Sequence, residues 1–164
     1  VCDAQITDEP GVALVAFAAD CTPILLFDPV RRAIGAVHAG WRGTALGIAA
    51  KTVQAMERTY GCKPENIRAA IGPCIGQCCF ETDSDVPEAM RTALGAEADA
   101  CIQRRSEKFH VDNKALNRIW LARAGVRTID ISPDCTKCQP ERFWSHRATG
   151  GNRGSLAAII MLRK

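Results

Sequence analysis

The chain has 164 residues, a formal net charge of +3 and 5% aromatic residues. Its lysines and arginines are scattered, which argues against a nucleic-acid partner, and the scarcity of aromatic residues argues against a surface that stacks bases. The longest apolar stretches, residues 12–19 and 156–162, are too short to cross a bilayer, and no basic segment with a cleavage site precedes them. We therefore expect a cytoplasmic, monomeric protein with one domain over residues 1–164 and no membrane partner.

The apolar pattern and the turn residues predict alternating strands and helices. The predicted strands are 12–17, 23–27, 33–37, 67–71, 128–131 and 156–162, with a brief extended piece at 109–111. The predicted helices are 45–60, 87–94 and 113–124, and Asp112 is the expected N-cap of the last one. Because strands 23–27 and 33–37 form a hairpin while helices join other strands, we expect an α/β fold, specifically an α+β-like mixed sheet flanked by helices.

Cys21 and His38 each lie where a strand-like apolar run ends. On adjacent strands of a hairpin the two side chains can meet, and a thiolate beside an imidazole can bind zinc or act as a nucleophile with its base. The competing interpretation is that Cys21 is a small buried apolar residue.

The segment after His38 contains three glycines around a Trp-Arg pair and then a helical pattern. Glycines let a backbone approach a ligand closely, and the free amides at a helix start favour anions. Arg42 is therefore a candidate catalytic and phosphate-binding residue, with a surface ion pair as the alternative.

Nine cysteines are many for a chain of this size, and their odd number leaves at least one thiol unpaired. Without an export signal we expect reduced, mostly buried thiols. The spacings C-x3-C-C at 74–79 and C-x2-C at 135–138 also fit a structural zinc site. If they serve packing instead, Cys135 or Cys138 lies close to Cys78 or Cys79.

Four segments carry a family resemblance: residues 19–25, 38–43, 71–81 and 143–147. Together they resemble the YfiH-type laccase-domain family, once called multicopper polyphenol oxidases, and the resemblance runs from about Asp3 to the C-terminus. It implies a fold like the Cys-His deamidase domain of cytotoxic necrotizing factor toxins, a YfiH/cytotoxic-necrotizing-factor-like cysteine-hydrolase fold. It also implies a zinc-dependent purine nucleoside phosphorylase that deaminates adenosine, with a purine nucleoside and phosphate as partners.

Residue by residue, the resemblance makes Cys21 and His38 metal ligands. The family's third ligand is the His of an upstream Gln-Val-His-Gly motif, which this sequence does not contain, so we expect a chain truncated at its N-terminus. Arg147 and Arg153 match arginines of the family's C-terminal motifs and are the expected anion-binding residues. The loop that ends at Glu81 and the 143–153 segment are expected to converge on the cleft at Cys21, where the Glu81 carboxylate is a candidate substrate-binding or proton-transfer group.

Three other functions are compatible with the same residues. A polyphenol oxidase would use copper as its cofactor, although three histidines cannot supply a multicopper cluster. A metal-free hydrolase would use Cys21 as nucleophile and His38 as base, with Asp20 nearby. A thiol-rich zinc-binding domain without enzymatic activity would be built on the 74–79 and 135–138 cysteines.

Overall fold

A computed structural model of the chain describes residues 2–164, which form ten strands and five α-helices. The strands are β1 Ala4–Thr7, β2 Ala13–Ala18, β3 Thr22–Asp28, β4 Ala33–Ala39, β5 Arg68–Ile71, β6 Glu81–Thr82, β7 Ile102–Arg105, β8 Lys108–Val111, β9 Thr128–Ile131 and β10 Leu156–Met161. The helices are α1 Trp41–Ala45, α2 Ile48–Tyr60, α3 Asp85–Leu94, α4 Asn113–Arg123 and α5 His146–Thr149. Two 3₁₀ segments, Pro64–Asn66 and Gly95–Cys101, complete the regular structure.

The strands are divided among three sheets. The largest has the order β1-β4-β3-β5-β9, with every neighbouring pair antiparallel except β5 and β9, which are parallel. A two-stranded sheet pairs β10 with β2, and a three-stranded sheet has the order β6-β8-β7. The predicted mixed α/β fold is therefore confirmed, although the strands form three sheets instead of one.

The central hairpin β3–β4 is covered on both faces, which explains its nearly continuous apolar sequence. On one face Ile24, Leu26 and Val37 pack against α2 and α4. On the other face Ile34 and Ala36 pack against β2 and the end of β10. Because side chains alternate along each strand, one hairpin supplies both layers of the core.

Most predicted elements are present within one or two residues of the expected bounds. The predicted helix 45–60 is interrupted at Gly47, whose φ of +70° separates α1 from α2. Asp112 is confirmed as the N-cap of α4, since its Oδ1 accepts a hydrogen bond from the Ala115 amide at 3.0 Å. The short strands β1, β6 and β7 were not predicted, because two to four residues carry too little periodicity to read.

No helix within residues 2–164 has both the length and the apolar character that crossing a membrane requires.

Candidate functional site

Cys21 and His38 meet at one end of the central hairpin. Cys21 immediately precedes β3, and His38 lies in β4, opposite Pro23 in the antiparallel ladder. The backbone of Gly40 lies beside both side chains: a Cβ on this residue would stand 3.3 Å from the Cys21 Sγ and 3.7 Å from the His38 Cε1. Strand pairing therefore brings Cys21 and His38 close together, and the lack of a side chain at Gly40 leaves space for both.

The pair is electrostatically coupled. The pKa of His38 rises from 6.5 to about 9, mainly through a hydrogen bond to the Cys21 side chain, while partial burial opposes the rise. Asp3 contributes further, because its Oδ1 lies 3.0 Å from the His38 Nδ1. Because the Asp3 carboxylate is hydrogen-bonded to Nδ1, Nε2 is the ring nitrogen that remains available to a metal or a proton.

Asp20, which the metal-free hypothesis places near the pair, bonds to neighbouring loops instead of to His38. It adopts a left-handed backbone conformation with φ of +82°. Its Oδ1 accepts a hydrogen bond from the Thr136 hydroxyl at 2.6 Å, and its Oδ2 accepts one from the Arg147 amide, also at 2.6 Å. Its carbonyl accepts the Ile75 amide at 3.1 Å. Asp20 therefore connects three loops around Cys21, and the acidic residue that contacts His38 is Asp3.

A cavity of about 290 Å³ opens beside Cys21. Its wall brings together the two loops that were expected to converge there, together with the start of α1. The lining residues are Ala19, Asp20, Cys21, Trp41, Ile75, Phe80, His146, Arg147 and Arg153. The cavity thus combines a thiol, an imidazole, two guanidinium groups, two large aromatic side chains and the Asp20 carboxylate, whose two oxygens are already hydrogen-bonded within the protein. The two guanidinium groups and the aromatic side chains suit an anionic ligand with a flat apolar part.

Arg42 and Glu81 lie next to this cavity but not in its wall. The exposed Arg42 guanidinium stacks on the Trp41 ring at 4.1 Å from its centroid. Glu81 contributes its carbonyl oxygen, which accepts a hydrogen bond from Arg147 Nη1 at 2.9 Å, while its carboxylate lies 3.7 Å from the Nε2 of His110. Arg42 therefore contacts the cavity-lining Trp41, and Glu81 contacts the cavity-lining Arg147. Neither Arg42 nor Glu81 lines the cavity itself.

The residues present fit two ligands of a catalytic zinc. Cys21 supplies a sulfur, and His38 supplies a nitrogen whose ring is oriented by a carboxylate, as is common for metal-bound histidines. Within residues 2–164, Cys21 and His38 belong to no group of three or more converging ligand atoms. The pair would therefore hold the metal together with a further ligand.

Two buried asparagines on α4 position the ends of the hairpin. Asn117 belongs, with Asp112, to an Asp-x4-Asn pattern that resembles one in the family, whereas Asn113 is not part of any predicted motif. Asn113, 4% exposed, donates its amide hydrogens to the Thr22 hydroxyl at 3.0 Å and to the Ala39 carbonyl at 3.1 Å. These acceptors are the immediate neighbours of Cys21 and His38. Asn117 continues the network to Thr44 at 2.9 Å. The sequence signal that could have identified Asn113 is a polar residue on the buried face of α4, because a buried amide needs hydrogen-bond partners.

The predicted proximity of the two cysteine segments is confirmed. The sulfur of Cys138 lies 3.7 Å from that of Cys78 and 3.4 Å from that of Cys79. Cys135 completes a group whose sulfur atoms all lie within 4.8 Å of one another. Although burial opposes it, hydrogen bonds from the Gly76 and Cys138 backbone lower the pKa of Cys135 to about 7.

The amino-acid sequence of the chain is similar to the sequences of several named enzymes. It is 37% identical to the mouse purine nucleoside phosphorylase LACC1, covering 99% of this chain and 38% of that protein. It is 39% identical to the purine nucleoside phosphorylase YlmD of Geobacillus stearothermophilus, covering 99% of this chain and 60% of that protein. It is also 38% identical to the adenosine deaminase RL5 from an unknown prokaryote, covering 93% of this chain and 59% of that protein. The chain therefore spans about 40 to 60% of the length of these relatives.

Solved structures agree with this similarity. The crystal structure of YlmD from Geobacillus stearothermophilus superposes with a TM-score of 0.95 at 39% identity, over 99% of this chain and 61% of that one. YfiH from Bacillus licheniformis gives a TM-score of 0.95 at 38% identity, over 98% and 61% of the two chains. The sequence profile described as multi-copper polyphenol oxidoreductase laccase matches residues 1–163. From the sequence motifs, the fold and these matches together, the chain belongs to the YfiH-like laccase-domain family.

Proposed function

We propose that this chain is the catalytic part of a zinc-dependent purine nucleoside phosphorylase that acts on adenosine- and inosine-type nucleosides and also deaminates adenosine. The observation that carries the proposal is Cys21, which lies beside His38 and lines a cavity together with two arginines and two large aromatic side chains. His38 itself does not line this cavity but a second pocket, which it shares with Asp3. The relatives named phosphorylase and deaminase support this reaction class over polyphenol oxidation.

In phosphorolysis, different residues of the cavity would bind the phosphate and the purine. Arg147 and Arg153 would bind inorganic phosphate, because a guanidinium offers paired N–H donors to two oxygens of the anion. Trp41 and Phe80 would pack on the purine and exclude water. A phosphate oxygen then forms a bond to the ribose C1′ as the bond from C1′ to the base nitrogen breaks, and the base leaves with the electron pair and takes up a proton.

Cys21 and His38 would hold zinc through the thiolate sulfur and Nε2. When bound, zinc supplies a Lewis acid that polarises an oxygen of water or substrate. Asp3 fixes the imidazole ring in the orientation that this ligand role needs. For deamination, the same cavity would hold the adenine ring, whose C6 gains an oxygen from water and loses its amino group as ammonia.

A metal-free Cys-His hydrolase is the second candidate, and one observation favours it. Asp3, His38 and Cys21 form a series in which a carboxylate orients an imidazole that lies beside a thiol. This arrangement would support a thiolate nucleophile without any metal. It would also agree with the predicted cytotoxic-necrotizing-factor-like relationship, which stays a prediction, as do the monomeric state and the cytoplasmic location.

One experiment separates the two candidates. The chain, alone and extended to the length of its relatives, is incubated with inosine or adenosine in the presence and absence of phosphate, and the free bases and inosine are quantified. Phosphate-dependent release of hypoxanthine, abolished by a zinc chelator and restored by zinc, is the expected result. Cys21→Ser removes a proposed ligand and should lower turnover by at least about tenfold, since even outer-sphere partners of a metal cost about 10- to 100-fold. Cys62→Ala, in the main core, should leave turnover nearly unchanged.

Two results would contradict the phosphorylase proposal. Turnover that persists in the fully chelated protein and is still lost in Cys21→Ser would favour the metal-free hydrolase. Oxidation of a phenol that depends on copper, with no nucleoside cleavage, would restore the polyphenol oxidase alternative.

A further inference from the structure

The four clustered cysteines lie on two loops that leave the same edge of the main sheet. β5 and β9 are parallel neighbours, so the chain exits both strands at the same end. The pairing continues beyond the strands, because the Ser132 amide donates to the Ile71 carbonyl at 2.9 Å and the Thr136 amide donates to the Cys74 carbonyl at 3.0 Å. Topology therefore places a loop with two adjacent cysteines beside a loop with a C-x2-C pair.

The sulfur positions suit a tetrahedral metal. Zinc–sulfur bonds of about 2.3 Å place the sulfurs of a tetrathiolate site about 3.8 Å apart. The contacts of Cys138 with Cys78 and Cys79 measure 3.7 and 3.4 Å, and all four sulfurs fall within 4.8 Å of one another. The Gly76 amide donates to the Cys135 sulfur at 3.2 Å, which is the kind of contact that stabilises a thiolate.

A disulfide explains this arrangement less well. A disulfide needs a sulfur separation of about 2.05 Å between one defined pair. Cys138 instead lies at similar distances from Cys78 and Cys79, so the sulfurs converge on a common point. One disulfide would also leave the other two thiols of the group without a partner.

The cluster lies behind the cavity wall. The cavity is lined by Ile75 and Phe80 from one cysteine loop, and none of its lining residues is one of the four cysteines. From the other loop, Thr136 donates to the Asp20 carboxylate at 2.6 Å, next to Cys21. A cross-link between the two cysteine loops would therefore hold the part of the cavity wall next to Cys21 in place. The cross-link itself would not contact a ligand in the cavity, because none of the four cysteines lines it.

We propose that Cys78, Cys79, Cys135 and Cys138 bind one Zn²⁺ as a closed tetrathiolate site that joins the two loops of the cavity wall. Four thiolates fill the coordination sphere, so the ion has no open position and its role is structural. Binding releases the protons of the thiols that are protonated in the free protein. This site is separate from the Cys21–His38 pair and does not depend on the function proposed for that pair.

Cobalt substitution tests the site in the intact chain. The reduced, metal-free protein is titrated with Co²⁺, and the spectrum is recorded. We expect intense thiolate-to-cobalt charge-transfer bands in the near ultraviolet and strong visible bands typical of tetrahedral cobalt with four sulfurs, displaced by zinc. The same spectrum should form in Cys21→Ser and in the control Cys62→Ala, and it should be lost in Cys138→Ser.

A second measurement needs no variant and therefore does not depend on a variant folding. Zinc should slow alkylation of the four cysteines by iodoacetamide by at least about tenfold, as read by mass spectrometry of the peptides, while the exposed Cys2 reacts at an unchanged rate. The proposal is overturned by a wild-type cobalt spectrum without sulfur-rich bands, by a sulfur-rich spectrum that survives in Cys138→Ser, or by equal alkylation rates with and without zinc. A disulfide within the cluster in protein purified with reductant and zinc would also overturn it.

Discussion

Asp3 holds His38 through both its backbone and its side chain. The His38 amide donates to the Asp3 carbonyl at 2.8 Å, and the His38 Nδ1 lies 3.0 Å from the Asp3 Oδ1. The pairing of β1 with β4, which sets Ala4 opposite Val37, creates this relationship. The orientation of the candidate catalytic imidazole therefore depends on a short edge strand at the start of the chain.

The first prediction concerns pH. The pKa of His38 in the metal-free fold is about 9, above its usual 6.5. The folded state therefore binds this proton more tightly than the unfolded state does, so the stabilisation is fully present below pH 6.5 and is lost as the pH rises through about 9. Chemical unfolding of the metal-free protein and of His38→Gln across this range should show that the difference between them shrinks with rising pH. An NMR titration that places the His38 pKa at its usual value would contradict this expectation.

The second prediction tests the close approach at Gly40. Its φ of −67° and ψ of 171° suit any residue, so Gly40→Ala should fold. The added Cβ would stand 3.3 Å from the Cys21 sulfur, so it should push Cys21 away from His38. We expect the pKa of His38 to fall and zinc-dependent turnover to drop about tenfold or more, because catalytic geometry tolerates little displacement. The control is Gly35→Ala in β4, because an added Cβ there would meet its nearest neighbours at an ordinary contact distance of 3.5 Å.

The third prediction concerns the buried amide of Asn113. Asn113→Ala would leave the Thr22 hydroxyl and the Ala39 carbonyl without their donor. We expect a loss of about 2 to 3 kcal/mol in the free energy of unfolding, measured with denaturant, because buried polar groups lose their partners. The exposed Asn152→Ala should change stability by less than about 0.5 kcal/mol. Comparable small losses in both variants would show that the network does not position the hairpin ends.

The fourth prediction ranks the arginines. Arg147→Gln and Arg153→Gln should each raise the KM for phosphate about tenfold in the extended protein, since each removes a charge-assisted hydrogen bond of about 1.5 to 3 kcal/mol. Arg42→Gln should have a smaller effect, because Arg42 stacks on Trp41 outside the cavity wall. Arg142→Gln, whose guanidinium stacks on Phe143, is the matched control. A larger effect of Arg42→Gln than of Arg147→Gln would reverse the assignment.

Sequence patterns predicted the elements with long, clear periodicity. The hairpin β3–β4, the strand β9 and the helix α4 with its Asp112 cap follow from local propensity, turn residues and capping, which act between near neighbours in the chain. The short edge strands were missed because partners elsewhere in the fold, and not their own sequence, stabilise them. The division into three sheets follows from the same long-range pairing.

The sequence by itself determined that Cys21 and His38 lie close together, because each stands at the end of a strand of one hairpin. The motifs of the family resemblance predicted that the two loops converge at Cys21 and that Arg147 and Arg153 lie there. Only the tertiary structure decided which carboxylate orients His38, since Asp3 reaches it through strand pairing while Asp20, adjacent to Cys21 in sequence, turns to Thr136 and Arg147. It also decided that Arg42 lies beside the cavity and that four cysteines from two distant segments converge. These relationships depend on contacts between residues far apart in the chain, and such contacts are set by how sheets and loops pack, which local sequence patterns do not encode.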